Sequence, residues 1–322
     1  MYFNQNNNFY HGIMFHHFHD NGIHLKGQGS IDKDDFYKMI NFIGRNNILD
    51  ADVFFEKFKN NKLKENEVCL TFDDGIKCQI DIALPVLEEL KIKSFFFVYT
   101  SVFEKKPDNL EFFRYFRMNY FKSVDEFYDN FYKVLDKDLK SFFEKNSNKI
   151  KETKIKFPMY SIEDIKFRLV RDGFLTKVQY EETMFLMFKD KRFNFKDFSK
   201  KLFFQKSDLQ KLDNLGHVVG LHSQNHPTLL EKLSYDEQKS EYENCLSSIS
   251  DILDKPKNEI KSMSHPVGSY NVDTLEILKE LGIDLGFKQI MTIEPEKGMK
   301  KVNNSFLEIA RQDHSDIFKR MN

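Results

Sequence analysis

The chain has 322 residues, room for two units of ~150 residues or for one large α/β domain with an insertion. Lys+Arg at 49 and Asp+Glu at 50 leave a formal net charge of −1, which argues against a nucleic-acid surface built on net positive charge. Hydrophobic residues at 40% and charged residues at 31% give enough apolar matter for a core and too much for a disordered chain.

Met1–Tyr10 is polar and Asn-rich, without the basic and then apolar segments of a secretory leader. No stretch reaches the ~18 apolar residues of a membrane span, so the expectation is a cytoplasmic protein with no membrane span. A first apolar run, Gly12–Phe18 (GIMFHHF), reads as a strand, and Phe36, Met39, Ile40 and Ile43 then form a helical stripe that stops at Gly44. Val68–Phe72 (VCLTF) reads as a second strand, Ile82, Val86, Leu87 and Leu90 as a second helix, and Ser94–Tyr99 (SFFFVY) as a third strand. From Glu104 to Phe204 the pattern is helical and rich in Lys and Phe, with no convincing strand. From Phe103 to Phe204, both included, lie 19 of the 35 Phe, which points to an aromatic core of its own. The expected organisation is therefore an α/β domain, residues 1–103 and 205–322, interrupted by a helical insertion, residues 104–204, that serves as a lid or docking subdomain.

Strand and helix alternate again after the insertion. His217–Leu221 (HVVGL) is apolar. Ser234 and Glu237 have capping-box spacing before the stripe Tyr242, Cys245, Leu246, Ile249 and Leu253. Leu275, Leu278 and Leu281 form a short helix ended by Gly282, and Ile283–Ile290 and Phe306–Ala310 are weaker strand candidates. Continuous apolar runs fit strands buried on both faces, as in a parallel sheet or barrel. Cys69, Cys78 and Cys245 form no CxxC pair, which argues against a disulfide scaffold or a thiolate zinc site and fits a reducing compartment.

Chemistry concentrates at two strand ends. Asp73 and Asp74 follow Val68–Phe72 directly, where parallel α/β folds collect reactive groups. Taken alone, the pair also reads as an ordinary turn with an Asp N-cap. His222 and His226 follow the fourth run, and a spacing of four puts two imidazoles on one side of a turn. This is not HExxH, because Ser223 stands where that pattern has its general base. The two Asp residues supply both missing parts: one carboxylate to complete a two-His, one-carboxylate ligand set and another to act as base. A non-haem iron oxygenase uses the same ligand types with the carboxylate close to the first His, whereas Asp74 lies 148 residues before His222.

TFDDG at Thr71–Gly75 and GHVVGLHSQNH at Gly216–His226 resemble the motifs of the polysaccharide deacetylase family (NodB-homology, carbohydrate esterase 4-like), and SHPVGSYN at Ser264–Asn271 resembles its Pro-containing third motif. The likeness covers roughly Gly12–Phe103 and Ser207–His314. It implies a distorted (β/α) barrel that removes acyl groups from amino sugars with a divalent metal. Asp74, His222 and His226 match the ligands and Asp73 the catalytic base. Zinc so held keeps an open position for water and lowers its pKa towards ~7. The implied activity is hydrolysis of an N-acyl, foremost N-acetyl, group on an amino sugar of a surface-glycan precursor. Another C–N bond, such as an N-formyl group or a cyclic amide, and a non-catalytic glycan-binding protein on the same fold are the alternatives.

The third motif departs from the family: Ser264 stands where an Arg usually orients the base. Arg311 is the candidate to hold Asp73 instead. Arg311, His16, His265 and Val267 are the candidates for the substrate side, with backbone N–H groups around Val267 facing the oxyanion. His16 comes from an MFHHFH element that resembles the family's first strand. His314, after the last apolar run, is the candidate for the general acid.

Overall fold

The computed structural model describes residues 1–27, 29–104, 107–157, 160–194 and 198–321. They divide into two compact units, Met1–Asp108 with Ser199–Asn322, and Asn109–Phe198.

The first unit carries seven strands: β1 His11–Phe15, β2 Val68–Asp73, β3 Phe95–Val98, β4 Val218–Leu221, β5 Ser262–Ser264, β6 Leu285–Phe287 and β7 Arg311–Asp313. They form one sheet in the order β6-β5-β4-β3-β2-β1-β7, and every paired neighbour is parallel. The segment that ends in β7 touches both edges: Ile309 bridges Phe287 of β6, and Arg311–Asp313 pair with Gly12–Met14 of β1. The sheet is thereby nearly closed, a distorted (β/α) barrel. The final strand is Arg311–Asp313 rather than the apolar run Phe306–Ala310, because the end of that run is spent on closure: Ile309 N–H donates to the Gly286 carbonyl of β6, the Ile309 carbonyl accepts from Lys288 N–H, and the Ala310 carbonyl accepts from Gly12 N–H.

Strand register sets what the barrel encloses. Successive side chains alternate faces, so the cross-strand partners Gly12, Cys69 and Arg311 share the inner face, as do Thr71 and Phe95, Asp73 and Phe97, and Ser264 and Phe287. Cys69, Phe95, Phe97, Leu285, Phe287 and Ile309 form a buried cluster with Ala51, Phe54 and Phe58. Small residues make room for these rings. A Cβ on Gly220 would lie 2.5 Å from the Ser262 carbonyl and 2.8 Å from Phe97, so the barrel closes around the aromatic plug only with glycine there.

α1 Lys33–Ile43, α2 Ala51–Lys59 and α3 Leu84–Glu89 precede the second unit; α1 packs on the outside, whereas Ala51, Phe54 and Phe58 of α2 join the inner-face cluster. Phe15, Phe72 and Phe96 point out of the barrel and stack, with ring centroids 5.3 Å and 4.7 Å apart, and Phe36 of α1 packs edge-on against Phe15.

The second unit is helical: α4 Leu110–Asn119, α5 Val124–Leu135, α6 Lys140–Lys145, α7 Ser147–Lys156, α8 Ile162–Gly173 and α9 Lys177–Asp190. Its interior is aromatic, with Phe116 against Phe188 at 4.6 Å and Phe127 and Phe131 both against Phe167 at 5.3 and 5.0 Å. The first unit resumes with α10 Ser199–Leu202, α11 Lys206–Asn214, α12 Tyr235–Leu253, α13 Val272–Glu280 and α14 His314–Met321. Ser199–Phe204, which the sequence pattern groups with the insertion, cluster with the barrel: Phe203 and Phe204 are fully buried, Phe203 bridges Ile76, and Phe204 N–H donates to the Gly75 carbonyl. No described helix is long and apolar enough to cross a membrane.

Candidate metal centre

Asp73 ends β2 with its side chain inward and is 1% exposed. Asp74 follows in left-handed backbone (φ 80°), and Gly75 continues it (φ 63°). That turn swings the Asp74 carboxylate toward the end of β4. His222 follows β4, and the loop from it to His226 contains two more non-glycine residues with positive φ, Ser223 (65°) and His226 (52°). Val267, in the turn after β5, has φ 54°. Such backbone is rarely adopted by residues with a Cβ, least of all a β-branched one, and it gathers where surrounding structure holds functional groups.

The result is a compact ligand set. Asp74, His222 and His226 are all buried, and one donor atom from each lies within 4.8 Å of the others. Asp74 Oδ1 is 3.3 Å from Nε2 of both histidines, yet makes no hydrogen bond of ordinary geometry. An orphaned buried carboxylate oxygen between two imidazole nitrogens is a donor set that would suit a divalent cation. His222 is oriented for that role: its Nδ1 lies 2.8 Å from the Ser264 carbonyl, so Nδ1 carries the proton and the Nε2 lone pair faces Asp74. Burial works to raise the pKa of Asp74, but the adjoining His222 imidazole, with His226 and His16 nearby, holds it well below the usual carboxylate range. Burial likewise opposes charge on His222, and Asp73 and Asp74 outweigh it, raising its pKa. Both shifts describe a site that favours positive charge at its centre.

Asp73 is held differently. Arg311 reaches up the barrel and grips it with both arms, Nη1 to Oδ1 and Nη2 to Oδ2, each at 2.7 Å. Ser264 Oγ accepts from Arg311 Nη2 at 2.7 Å and donates to Asp73 Oδ2 at 3.0 Å. The guanidinium is itself fixed by Thr71 Oγ1 at 3.2 Å and, through Nε, by the Lys288 carbonyl at 2.9 Å. Burial pushes the Asp73 pKa up, but Arg311, with His222 and His16 behind it, pulls it below its ordinary value. Ser264 links the two halves of the site, its carbonyl meeting His222 Nδ1 and its hydroxyl Asp73. The missing motif Arg is thus replaced by a Ser at the expected position and an Arg 47 residues later.

Arg311 is 1% exposed and committed to Asp73, so its place is behind the base rather than on the substrate side. His265 is also withdrawn: 1% exposed, stacked on Tyr270 at 4.2 Å, with Nε2 2.8 Å from the Leu307 carbonyl, and burial lowers its pKa to about 3. His314 packs on Phe15 and sets Nδ1 3.2 Å from the Met14 carbonyl and Nε2 2.7 Å from the Gly29 carbonyl. Both ring nitrogens are thereby engaged away from the four-residue cluster. His16 does reach the site, its Nε2 4.0 Å from Asp73 Oδ2 and from Asp74 Oδ2, with a quarter of its side chain exposed. Val267 is 40% exposed. Gln79 carries no motif signal, yet its buried amide donates to the Asp73 carbonyl at 2.6 Å and to the His16 carbonyl at 2.9 Å, tying the ends of β2 and β1 together.

A family model described as polysaccharide deacetylase matches residues 60–117 and 123–286, more than half of the chain. The chain belongs to the polysaccharide deacetylase family. The match runs through the second unit, which the motif likeness leaves out. Among solved structures, this deacetylase-family chain is similar to the Streptococcus pyogenes deacetylase PplD in complex with acetate, at 16% identity over 94% of this chain and 90% of that one (TM-score 0.52). It is similar also to IcaB from Ammonifex degensii, at 13% identity over 94% and 91% (TM-score 0.53). A de-N-acetylase from Aggregatibacter actinomycetemcomitans aligns at 12% identity over 97% and 99% (TM-score 0.54). At these identities the likeness establishes the fold. A search of curated proteins returned no match.

Proposed function

We propose that this chain removes the N-acetyl group from amino sugars of a glycan or glycan precursor, with a divalent cation, zinc foremost, held by Asp74, His222 and His226. The observation that carries the reading is the placement of two adjacent carboxylates in opposite settings, one orphaned between two imidazoles and the other gripped by an arginine. A glycan-binding module has no use for a second, ionised carboxylate beside a ligand set. Two of the similar structures bear on the acyl group: one is a deacetylase in complex with acetate, the other a de-N-acetylase. Acetate is what such a reaction would release.

When bound, the cation supplies Lewis acidity, polarising an acyl oxygen and making water more acidic. The remaining work belongs to the chain. Asp73, kept ionised by Arg311, accepts the proton of the water that attacks the amide carbon and returns it to the amine nitrogen as the C–N bond breaks, which releases acetate and the free amino sugar. Its carboxylate takes two bonds from Arg311 and one from Ser264, which leaves it an acceptor position for that proton. In the turn at Val267 the Gly268 and Ser269 N–H groups donate to the His265 and Pro266 carbonyls, so the backbone donor offered to the tetrahedral oxyanion is the Val267 N–H. His16 stands at the rim, where the sugar would enter.

The test is acetate release from N-acetylglucosamine oligomers by the zinc-loaded protein. Asp73→Asn is expected to keep its metal and lose ~100-fold or more in turnover, the scale of general-base loss. Loss of metal from Asp73→Asn would show the two Asp roles to be exchanged. A metal-loaded wild type that frees no acetate from any N-acetylated amino sugar would overturn the activity.

A further inference from the structure

The loop that carries both histidines has its central backbone held from outside by Glu241. Glu241 lies on α12, 15 residues after His226. Its Oε2 accepts the backbone N–H groups of Gln224 (3.0 Å) and Asn225 (2.8 Å), and its Oε1 accepts the Asn225 side-chain amide (2.7 Å). The rest of the loop backbone is anchored elsewhere: Thr100 and Ser101 N–H groups donate to the Ser223 and Gln224 carbonyls at 3.3 and 2.9 Å, and His226 N–H donates to Ser223 Oγ at 3.0 Å. Asn244, one helical turn after Glu241, donates to Gln224 Oε1 at 2.9 Å.

Two residues of this loop, Ser223 and His226, sit in left-handed backbone. Such a conformation persists only where neighbours over-determine it. Glu241 is suited to this: it satisfies two backbone donors that the turn leaves unpaired, and a charged acceptor makes each bond stronger than a neutral one. The helix beneath it is rigid. Ser234 and Glu237 form its capping box, and Tyr242, Cys245, Leu246 and Ile249 are buried against the barrel.

We infer that Glu241 is a positioning residue for the metal centre, setting the His222–His226 spacing before any metal arrives. This rests on the metal-centre reading above. Removing a supporting partner of this kind typically costs ~10–100-fold in metal affinity. The measurement is zinc affinity by competition with a chromogenic chelator for wild type, Glu241→Gln and Glu241→Ala, alongside thermal midpoints and Gln224 and Asn225 amide exchange in the metal-free proteins.

Glu241→Gln, which keeps shape but loses the charge and one acceptor, is expected to bind zinc ~10-fold more weakly, and Glu241→Ala ~100-fold. Excess zinc should restore turnover in Glu241→Gln, and the neighbouring exposed Glu243→Gln should bind as wild type does. Faster exchange of the two amides with intact thermal midpoints would accompany these losses. Wild-type zinc affinity in folded Glu241→Ala, whatever its thermal midpoint, would reduce Glu241 to a structural role and overturn the inference. A wild type that binds no divalent metal would sink the metal-centre reading and this inference with it.

Discussion

Asp73 and Asp74 are identical side chains one residue apart, and the fold gives them different chemistry. The alternation of β2 points Asp73 into the barrel, where Arg311 waits, and the left-handed turn at Asp74 (φ 80°) aims the next carboxylate at two imidazoles. Both oxygens of Asp73 are tied to one guanidinium, so it cannot rotate into the ligand position. Arg311→Lys should therefore be costly although the charge survives, because an ammonium cannot grip both oxygens. The expected result is a turnover loss of about 10- to 100-fold with zinc content unchanged, from a base held in slightly wrong geometry. Steady-state kinetics with parallel metal analysis checks this, and wild-type turnover in Arg311→Lys would show that the grip is dispensable. The clustering of Asp73, Asp74, His222 and His226 was legible in the sequence because TFDDG and HSQNH are local patterns. Ser264 and Glu241 were not legible as partners, since each meets its residue only across the barrel or from a neighbouring helix. Arg311 was legible as a replacement only because Ser264 marked a vacancy in the third motif.

The elements that position the site follow the same division. β1 to β4 announce themselves as apolar runs, but β5 is Ser262-Met263-Ser264, too short and polar to signal a strand. β7 is Arg311-Gln312-Asp313, without an apolar side chain: Arg311 turns to Asp73, Gln312 accepts from Tyr2 and Asp313 from Ser315. Arg311 pairs with Gly12, low on β1, and its stem climbs the inner face to reach Asp73. That path exists because Gly12 has no side chain: a Cβ there would lie 3.1 Å from Arg311 Cγ and 3.1 Å from the Phe287 ring. Gly12→Val should cost ~1–3 kcal/mol, as overpacking does. It should also lower turnover beyond what the lost folded fraction explains, because the displaced stem loosens Asp73. Urea unfolding and turnover per folded molecule separate the two effects. An active, wild-type-stable Gly12→Val would show that the stem has another route.

At the scale of the whole molecule, the barrel's stability should depend on buried neutral histidines. Burial lowers the pKa of His11 to about 4 and that of His217, helped by nearby Lys93, to about 4. His217 Nδ1 accepts the Ser94 backbone N–H at 3.1 Å, which only the neutral ring can do. In the unfolded chain both would titrate near 6.5, so between pH 6.5 and 4 the unfolded state binds more protons and stability rises with pH. Each group's contribution is complete above pH 6.5 and fades as pH falls towards 4, by ~1.4 kcal/mol per pH unit. His222, raised by Asp73 and Asp74, works in the opposite sense, so the difference between wild type and His217→Asn isolates one group. Urea unfolding at pH 7, 6 and 5 should show a slope shallower by that amount in His217→Asn, and an unchanged slope would mean that His217 charges without cost in the fold. The helical unit Asn109–Phe198 holds none of the residues of the metal centre or their anchors. Its abundant Phe made it legible as a separate packing unit, while its end was obscured by Phe203 and Phe204, which look the same in sequence but pack with the barrel.

The most direct test of the account is metal content by elemental mass spectrometry, on protein purified without a His-rich tag, for wild type and His226→Ala. The account predicts about one equivalent of zinc or a similar divalent ion in the wild type, and its loss in His226→Ala. A wild type that is metal-free and fails to bind added zinc would contradict it.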